Sequence, residues 1–389
     1  MNIKGLTEFL DSEDNRQFFK ILQGLDEISI NKIQNLESAN PDKPIKELLS
    51  QIQLQKENIK KIPSANNLLL SRKGAQQASS QQLAKYHADK FQKFDIIADL
   101  CCGIGIDLIN LAQNKKQVYA VELDKDTLQI AKYNCNKLKN IKFINRRAEE
   151  FADVVDAIFI DPDRRSGKTR KIAPEKYSPP LSSVIKLRYV CPDIAVKLSP
   201  AHDYHKLKLP QDSTLEFVSE SGNLKEILLC MGKLATKNCQ IKAVLLPSLL
   251  TIHESRPHLD VSEIKNYLYE PDAAIIRAGL VKELGNMIGY QLIDKKIALL
   301  TGSKMILNEF GKTYNVKQIM PFNLKSARKY LREHSIGNLI IKTRGFPEKE
   351  EKFRKKFKLN GTNSVIMFII RRGKGHLIIF ALLQNKTLA

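Results

Sequence analysis

The chain has 389 residues, room for two or three domains with their own apolar cores, and a net charge of +21 that points to a polyanionic partner, most simply nucleic acid. Its six cysteines show no C-x-x-C spacing and no companion histidine pair, which argues against a zinc site, any other metal centre of that kind and a disulfide framework. No apolar run approaches the length of a membrane span and Met1–Gly5 does not open a signal peptide, so a cytoplasmic protein without a membrane partner is expected.

A Lys/Ile/Asn-rich composition would raise charge everywhere, yet residues 311–389 hold eighteen Lys/Arg against four Asp/Glu and so concentrate the excess at the C-terminal end. In chain order, residues 1–90 read as helical, with Leu10, Phe18, Phe19, Ile21, Leu22 and Leu25 on an apolar stripe suited to core packing. Ser38 to Pro44 is turn-rich, and Ile45 to Ile52 resumes the helical pattern. Between Gln76 and Tyr86, Ser79 opens a further helical pattern with Gln82 at capping-box distance.

The segment Phe94 to Leu108 combines a buried strand holding Asp99, a break at Cys101-Cys-Gly-Ile-Gly105 and a helix from Asp107. Such a turn presents backbone N–H groups at the helix start, and glycines at 103 and 105 remove side chains where a ligand must approach. A second strand, Gln117 to Glu122, ends in a carboxylate able to accept hydrogen bonds from both ribose hydroxyls, which suggests a nucleoside site. A dinucleotide fingerprint needs a third glycine where Leu108 stands, so pyrophosphate binding is disfavoured.

Strand candidates continue at Ile141–Asn145, Asp156–Ile160 and Asp193–Leu198, with helical patterns such as Lys125–Leu138 between the earlier ones. The alternation predicts a parallel sheet covered on both faces, with ligands beyond its carboxyl ends. The fourth strand runs into Asp161-Pro-Asp-Arg164 and on to Lys168, placing a carboxylate and a rigid proline at that edge. Further on, Glu216–Ser219 and Ile241–Leu246 are strand candidates, Leu224, Ile227, Leu228 and Met231 mark a helix between them, and the loop from Pro247 to Pro257 closes the domain. Residues 260–310 form a compact stretch with a short strand, Ile297–Leu300. The basic end carries an amphipathic helix from Asn323 to Arg332, a strand over Asn338–Lys342 and two final strands meeting at Arg371–Gly375.

The pattern Asp99-x-x-x-Gly103-x-Gly105 followed by Glu122 resembles the class I S-adenosylmethionine-dependent methyltransferases. Together with Gln77-Ala-Ser-Ser80, Asp161-Pro-Asp-Arg-Arg165, Val196-Lys-Leu-Ser-Pro200, Tyr269-Glu-Pro-Asp-Ala-Ala274 and Arg344-Gly-Phe-Pro347, it is similar to a bacterial family of these enzymes with a ferredoxin-like insert and a C-terminal THUMP-like domain. The resemblance implies an α/β fold, a Rossmann-like sheet with a helical N-terminal region and small α+β C-terminal domains. It divides the chain into a helical part (1–90), a cofactor domain (91–256), a ferredoxin-like part (257–312) and a THUMP-like domain (313–389).

The same resemblance implies S-adenosylmethionine as cofactor and tRNA or rRNA as substrate. Gly103, Gly105, Asp99 and Cys101 would admit the cofactor, Glu122 and Leu123 would meet its nucleoside, and Ala148 or Glu149 would stand near its adenine. Ser79 and Ser80 either cap their helix or lie against its methionine end. In the acceptor loop, Asp161 and Pro162 would orient the target group, whereas Asp163 and Arg164 replace the proline and aromatic usual in enzymes that methylate exocyclic amines. Arg164 would stack or hold a phosphate, or else pair with Asp163 at the surface. The D-P-x-R order is also similar to that of 5-methylpyrimidine RNA methyltransferases, but no cysteine follows at Val196–Pro200, so covalent catalysis is not expected. Two other readings remain open at this point: a non-catalytic RNA-binding protein with a degenerate fold, and a methyltransferase for a small molecule or protein.

Overall fold

The computed structural model describes residues 3–25, 30–166, 169–204, 207, 209–348, 350–373 and 375–384. Met1, Asn2, Gly167 and Lys168 of the acceptor loop and Lys374 of the last predicted turn lie outside the described residues. Two compact units form, one from residues 1–215 and 226–238, the other from residues 216–225 and 239–389.

In the first unit, five strands with near-continuous apolar sequences pair in parallel: β1 (Ile96–Leu100), β2 (Gln117–Val121), β3 (Ile141–Ile144), β4 (Ala157–Ile160) and β5 (Ile194–Leu198). Burial on both faces explains that composition. The spatial order β5-β4-β1-β2-β3 reverses direction at β1, which opens a crevice beyond the carboxyl ends of β1 and β4. Helices Ile106–Leu111 and Lys125–Asn134 connect the first three strands, the latter capped by Asp124, whose Oδ1 accepts from Thr127 N at 2.8 Å.

The N-terminal helices bury Leu10, Phe19, Leu22 and Leu48 in one cluster with Ile104, Ile106 and Ile130, which flank the parallel sheet. Ile21, counted in the apolar stripe, instead faces solvent at 62% exposure. The predicted helix around Leu224 to Met231 is a correction: Ser213–Glu220 and Asn223–Met231 are strands, and the second pairs antiparallel with β5. Ser221 (φ 50°) and Gly222 (φ 80°) are both left-handed, the backbone of a two-residue hairpin turn, and this local chemistry outweighs the helical spacing of the apolar residues.

The second unit carries a seven-stranded sheet in which Gly311–Pro321 pairs with Tyr267–Pro271 on one side and Gly375–Gln384 on the other. Strands of 257–312 and of the basic end therefore share one sheet. Glu270 ties them together: its carboxylate accepts from Lys342 Nζ at 2.5 Å, Arg344 Nη2 at 2.6 Å and Tyr314 Oη at 2.6 Å. Asp272 caps the following helix by accepting from Ala274 N at 2.8 Å. Two of the motifs singled out in the sequence, Tyr269–Ala274 and Arg344–Pro347, thus meet at one ion cluster. The basic amphipathic helix spans Leu324–Glu333 and is capped by Asn323, whose Oδ1 accepts from Ser326 N at 3.0 Å.

Candidate cofactor and acceptor site

Past Leu100 the chain reverses through three left-handed residues, Cys101 (φ 61°), Gly103 (φ 57°) and Gly105 (φ 87°). The two glycines do different work. A side chain at Gly103 would meet nothing within 4 Å, because this residue borders open space. One at Gly105 would come within 3.2 Å of Cys135 Sγ and 3.5 Å of Ala131, so Gly105 lets the helix Lys125–Asn134 pack closely. Gly103 N donates to Glu122 Oε2 at 3.1 Å and Asp124 N donates to Oε1 at 3.0 Å, which holds the carboxylate over the glycine turn.

Above the turn lies a cavity of about 620 Å³, bordered among others by Asp99, Gly103, Glu122 and Asp161. Cys101, Leu123, Ala148, Glu149, Pro162, Asp163 and Arg164 line it as well. Leu123 is 56% exposed, an apolar side chain at the cavity edge where β2 ends. Asp99 is buried and its Oδ2 has no hydrogen-bond partner. Burial, then the nearby Asp107 and Asp161 charges, push the Asp99 carboxyl well above its ordinary range. Burial likewise raises Glu122, against the N–H groups of Asp124 and Gly103.

The acceptor loop is fixed from outside. Asp163 accepts from Lys73 Nζ at 3.0 Å and Gln77 Nε2 at 2.9 Å, and its backbone bridges Ser178 through two bonds of 2.9 Å. Of the two readings of Arg164, a pair with Asp163 is not formed: Asp163 makes these contacts instead, and Arg164 borders the cavity with its Nη1 buried without a partner.

Beneath Asp161 lies a buried ionic network. Lys197 Nζ, on β5, donates to Asp161 Oδ2 at 2.6 Å and to Ser79 Oγ at 2.9 Å, and stands 3.8 Å from Asp107 Oδ2 and 4.0 Å from Glu226 Oε2. Ser79 in turn donates to Asp107 Oδ2 at 2.8 Å. His87 bridges the two carboxylates, with Nδ1 at 2.7 Å from Asp107 and Nε2 at 2.5 Å from Glu226. Two carboxylate partners require both ring nitrogens to donate, which makes the ring an imidazolium. Burial opposes its charge, but Glu226 and Asp107 prevail and raise His87 to about 9. Lys197 is raised against burial by Asp161, Asp107 and Glu226; Asp107 is lowered against burial by Lys197 and His87.

Residues 311–381 match the THUMP domain-like family and residues 79–164 the tRNA (uracil-5-)-methyltransferase family. An uncharacterized S-adenosylmethionine-dependent methyltransferase of Mycobacterium tuberculosis (strain CDC 1551 / Oshkosh) is 27% identical over 313 residues, 79% of this chain and 86% of that one. A tRNA/tmRNA (uracil-C(5))-methyltransferase of Shewanella sp. (strain W3-18-1) is 35% identical over 89 residues, 18% of this chain and 24% of that one. The crystal structure named "putative methyltransferase from Porphyromonas gingivalis W83" shares the fold at 21% identity, with a TM-score of 0.79 and full coverage of both chains. The chain is an S-adenosylmethionine-dependent methyltransferase, and its fold is Rossmann-like.

The donor set of this methyltransferase fits its cofactor. An orphaned carboxyl oxygen on Asp99 can accept from an ammonium group, whose charge would favour the ionised form, and Glu122 keeps lone pairs for two hydroxyls after accepting two backbone N–H groups. Of the sequence-predicted site residues, Ser79, Ser80 and Gly105 do not reach the cavity lining. Ser80, rather than Ser79, caps the helix Gln81–Lys90 by accepting from Leu83 N at 3.3 Å, and Ser79 belongs to the ionic network. Glu149 pairs with Arg147 at 2.9 Å. Sequence reasoning missed Lys197, His87, Asp107 and Glu226. One signal was present, a lysine inside the apolar run Ile194-Ala-Val-Lys-Leu198, where a charge needs a partner. Among the described residues no group of His, Cys, Asp and Glu has the geometry of a metal site, and no helix is long and apolar enough to cross a membrane.

Proposed function

We propose that this methyltransferase modifies a nucleotide of structured RNA, tRNA or rRNA, in the cytoplasm. The observation that carries the reading is one cavity bordered by both the Glu122–Gly103 pair and the Asp161–Arg164 loop, in a chain whose residues 311–381 are THUMP-like. The four-part division at residues 90, 256 and 312 belongs to the same proposal.

In this reading Glu122 accepts from the ribose hydroxyls, Leu123 packs on the adenine beside Ala148 and Glu149, and Asp99 and Cys101 flank the methionine end. The cofactor supplies an activated methyl group on a sulfonium. Asp161 and Pro162 hold the acceptor in line with it, and such positioning is worth about 7 to 11 kcal/mol of barrier. Arg164, with an unpartnered buried Nη1, takes a phosphate or a base face, and Asp163 holds the loop. The surplus of Lys and Arg from residue 311 onward binds RNA phosphates.

The test is transfer of labelled methyl from the cofactor to total tRNA and rRNA of cells lacking the gene. Label in RNA is expected with the wild-type protein and, on the order of a hundredfold more slowly, with Asp161→Ala, which should still bind cofactor. Label in protein or small molecules alone would replace the RNA reading, and no cofactor binding would indicate a degenerate RNA-binding protein.

A further inference from the structure

The uracil-methyltransferase relatives are named for a carbon target, and the site geometry speaks to whether that chemistry is available here. Pyrimidine C5 is too weak a nucleophile to attack a methyl group directly. It becomes one when a thiolate adds to C6, and a base must afterwards remove the C5 proton before the thiolate leaves. A C5 enzyme therefore needs a cysteine facing the base, on the acceptor side of the cavity.

The six cysteines can be placed one by one. Cys135 lies behind Gly105, with Sγ 4.0 Å from its carbonyl oxygen, and Cys191 donates to Asp193 O at 3.6 Å before β5 begins, at the end of the strand away from the cavity. Cys230 is buried within its strand, and Cys239 donates to Ile241 O at 3.2 Å. Cys101 and Cys102 line the cavity from the glycine turn that follows β1, and not from the Asp161–Arg164 loop or the turn beyond β5. Burial raises both thiols well above their ordinary range, helped at Cys101 by Glu122 and Asp161 and at Cys102 by Asp99 and Glu122, the reverse of what a thiolate nucleophile requires. Beyond β5, Ser199 N donates to Tyr177 Oη at 3.2 Å and Ser199 O accepts from Tyr204 Oη at 2.6 Å, so that turn is held by structural bonds and offers no thiol.

The acceptor side presents a carboxylate in place of a thiol. Asp161 Oδ2 is held by Lys197 at 2.6 Å, and among the described residues no hydrogen bond engages its Oδ1. A carboxylate with one oxygen anchored accepts a hydrogen bond from an N–H. We propose, resting on the RNA reading above, that the methyl acceptor is a nucleobase nitrogen that carries a hydrogen, and not pyrimidine C5. The nitrogen donates its N–H to Asp161 and directs its lone pair at the methyl carbon. The N–C bond forms as the C–S bond breaks, the bonding pair stays on sulfur as a neutral thioether, and the nitrogen proton passes to Asp161 and then to water.

Total tRNA and rRNA from cells lacking the gene, and the same RNA from cells grown with 5-fluorouracil, serve as probes for the full-length protein with S-adenosylmethionine. Fluorine at C5 blocks the final proton loss, so a C5 enzyme remains covalently attached to such RNA on a denaturing gel. Expected here are no attached species and, after digestion to nucleosides, a mass gain of one methyl on a base nitrogen, with turnover reduced on the order of a hundredfold in Asp161→Ala. A C5-methylpyrimidine, a ribose O-methyl product or a denaturation-resistant adduct would overturn the nitrogen assignment while leaving RNA methylation standing. Absence of any methylated nucleoside would overturn both.

Discussion

Lys197 is 4% exposed and surrounded by Asp161, Asp107 and Glu226, so its charge holds three carboxylates that would otherwise repel one another in a dry interior. Removing one member of a buried ionic cluster leaves the rest uncompensated, at a cost of roughly 3–5 kcal/mol. Lys197→Met is expected to lower the urea midpoint by a matching amount and to cut methyl transfer by releasing Asp161; an unchanged midpoint would mean the network contributes nothing to folding. His87 gives the cluster a pH signature. Its folded value of about 9 lies above the ordinary histidine value, so its contribution is complete below pH ~6.5 and fades as pH rises through about 9. Asp107 and Glu226 are lowered on folding, so theirs is present above pH ~4.5 and fades in acid. The stabilisation from these three groups should therefore be greatest between roughly pH 5 and 6.5. His87→Gln should flatten the alkaline limb; a limb that stays equally steep would remove His87 from it.

The glycine turn and the basic helix separate what local sequence specifies from what packing decides. Asp99, Gly103 and Glu122 were legible because a strand end, a left-handed turn and an acid one strand away have few other uses. Gly105 shares that motif yet serves helix packing, which depends on Cys135, thirty residues distant, and no motif reveals it. Gly103→Ala should weaken cofactor binding with a stability loss of ~1–2 kcal/mol for its left-handed backbone. Gly105→Ala should cost more in the urea midpoint through contact with Cys135. Equal effects of the two on cofactor affinity would contradict the assignment. The hairpin at Ser221-Gly222 was misread for the opposite reason, since two turn residues outweigh an apolar spacing that fits a helix. Three of the network members, His87, Asp107 and Glu226, were illegible because helix and strand residues 87 to 226 meet only in the folded chain, whereas Lys197 stood out in its apolar strand. Asn323→Ala should cost ~1 kcal/mol through loss of the Ser326 N–H bond, read by thermal unfolding.

Across the molecule, the cavity bordered by Glu122 and Asp161 belongs to one compact unit and most of the surplus positive charge to the other. Binding to tRNA should accordingly lose affinity steeply and log-linearly with added salt, because each phosphate contact releases a counterion. Cofactor binding, confined to the neutralised interior of the first unit, should change little over the same range. An RNA affinity insensitive to salt would leave the basic end without a role. All of these assignments depend on Glu122 holding a nucleoside over the glycine turn. Calorimetric titration of S-adenosylmethionine into the wild-type protein and into Glu122→Ala tests this most directly. Loss of hydrogen bonds to a charged acceptor is worth about 1.5–3 kcal/mol, so saturable one-site binding weakened on the order of ten- to a hundredfold in the variant is the predicted result. No binding by the wild-type protein, or equal affinity in both, would contradict the account.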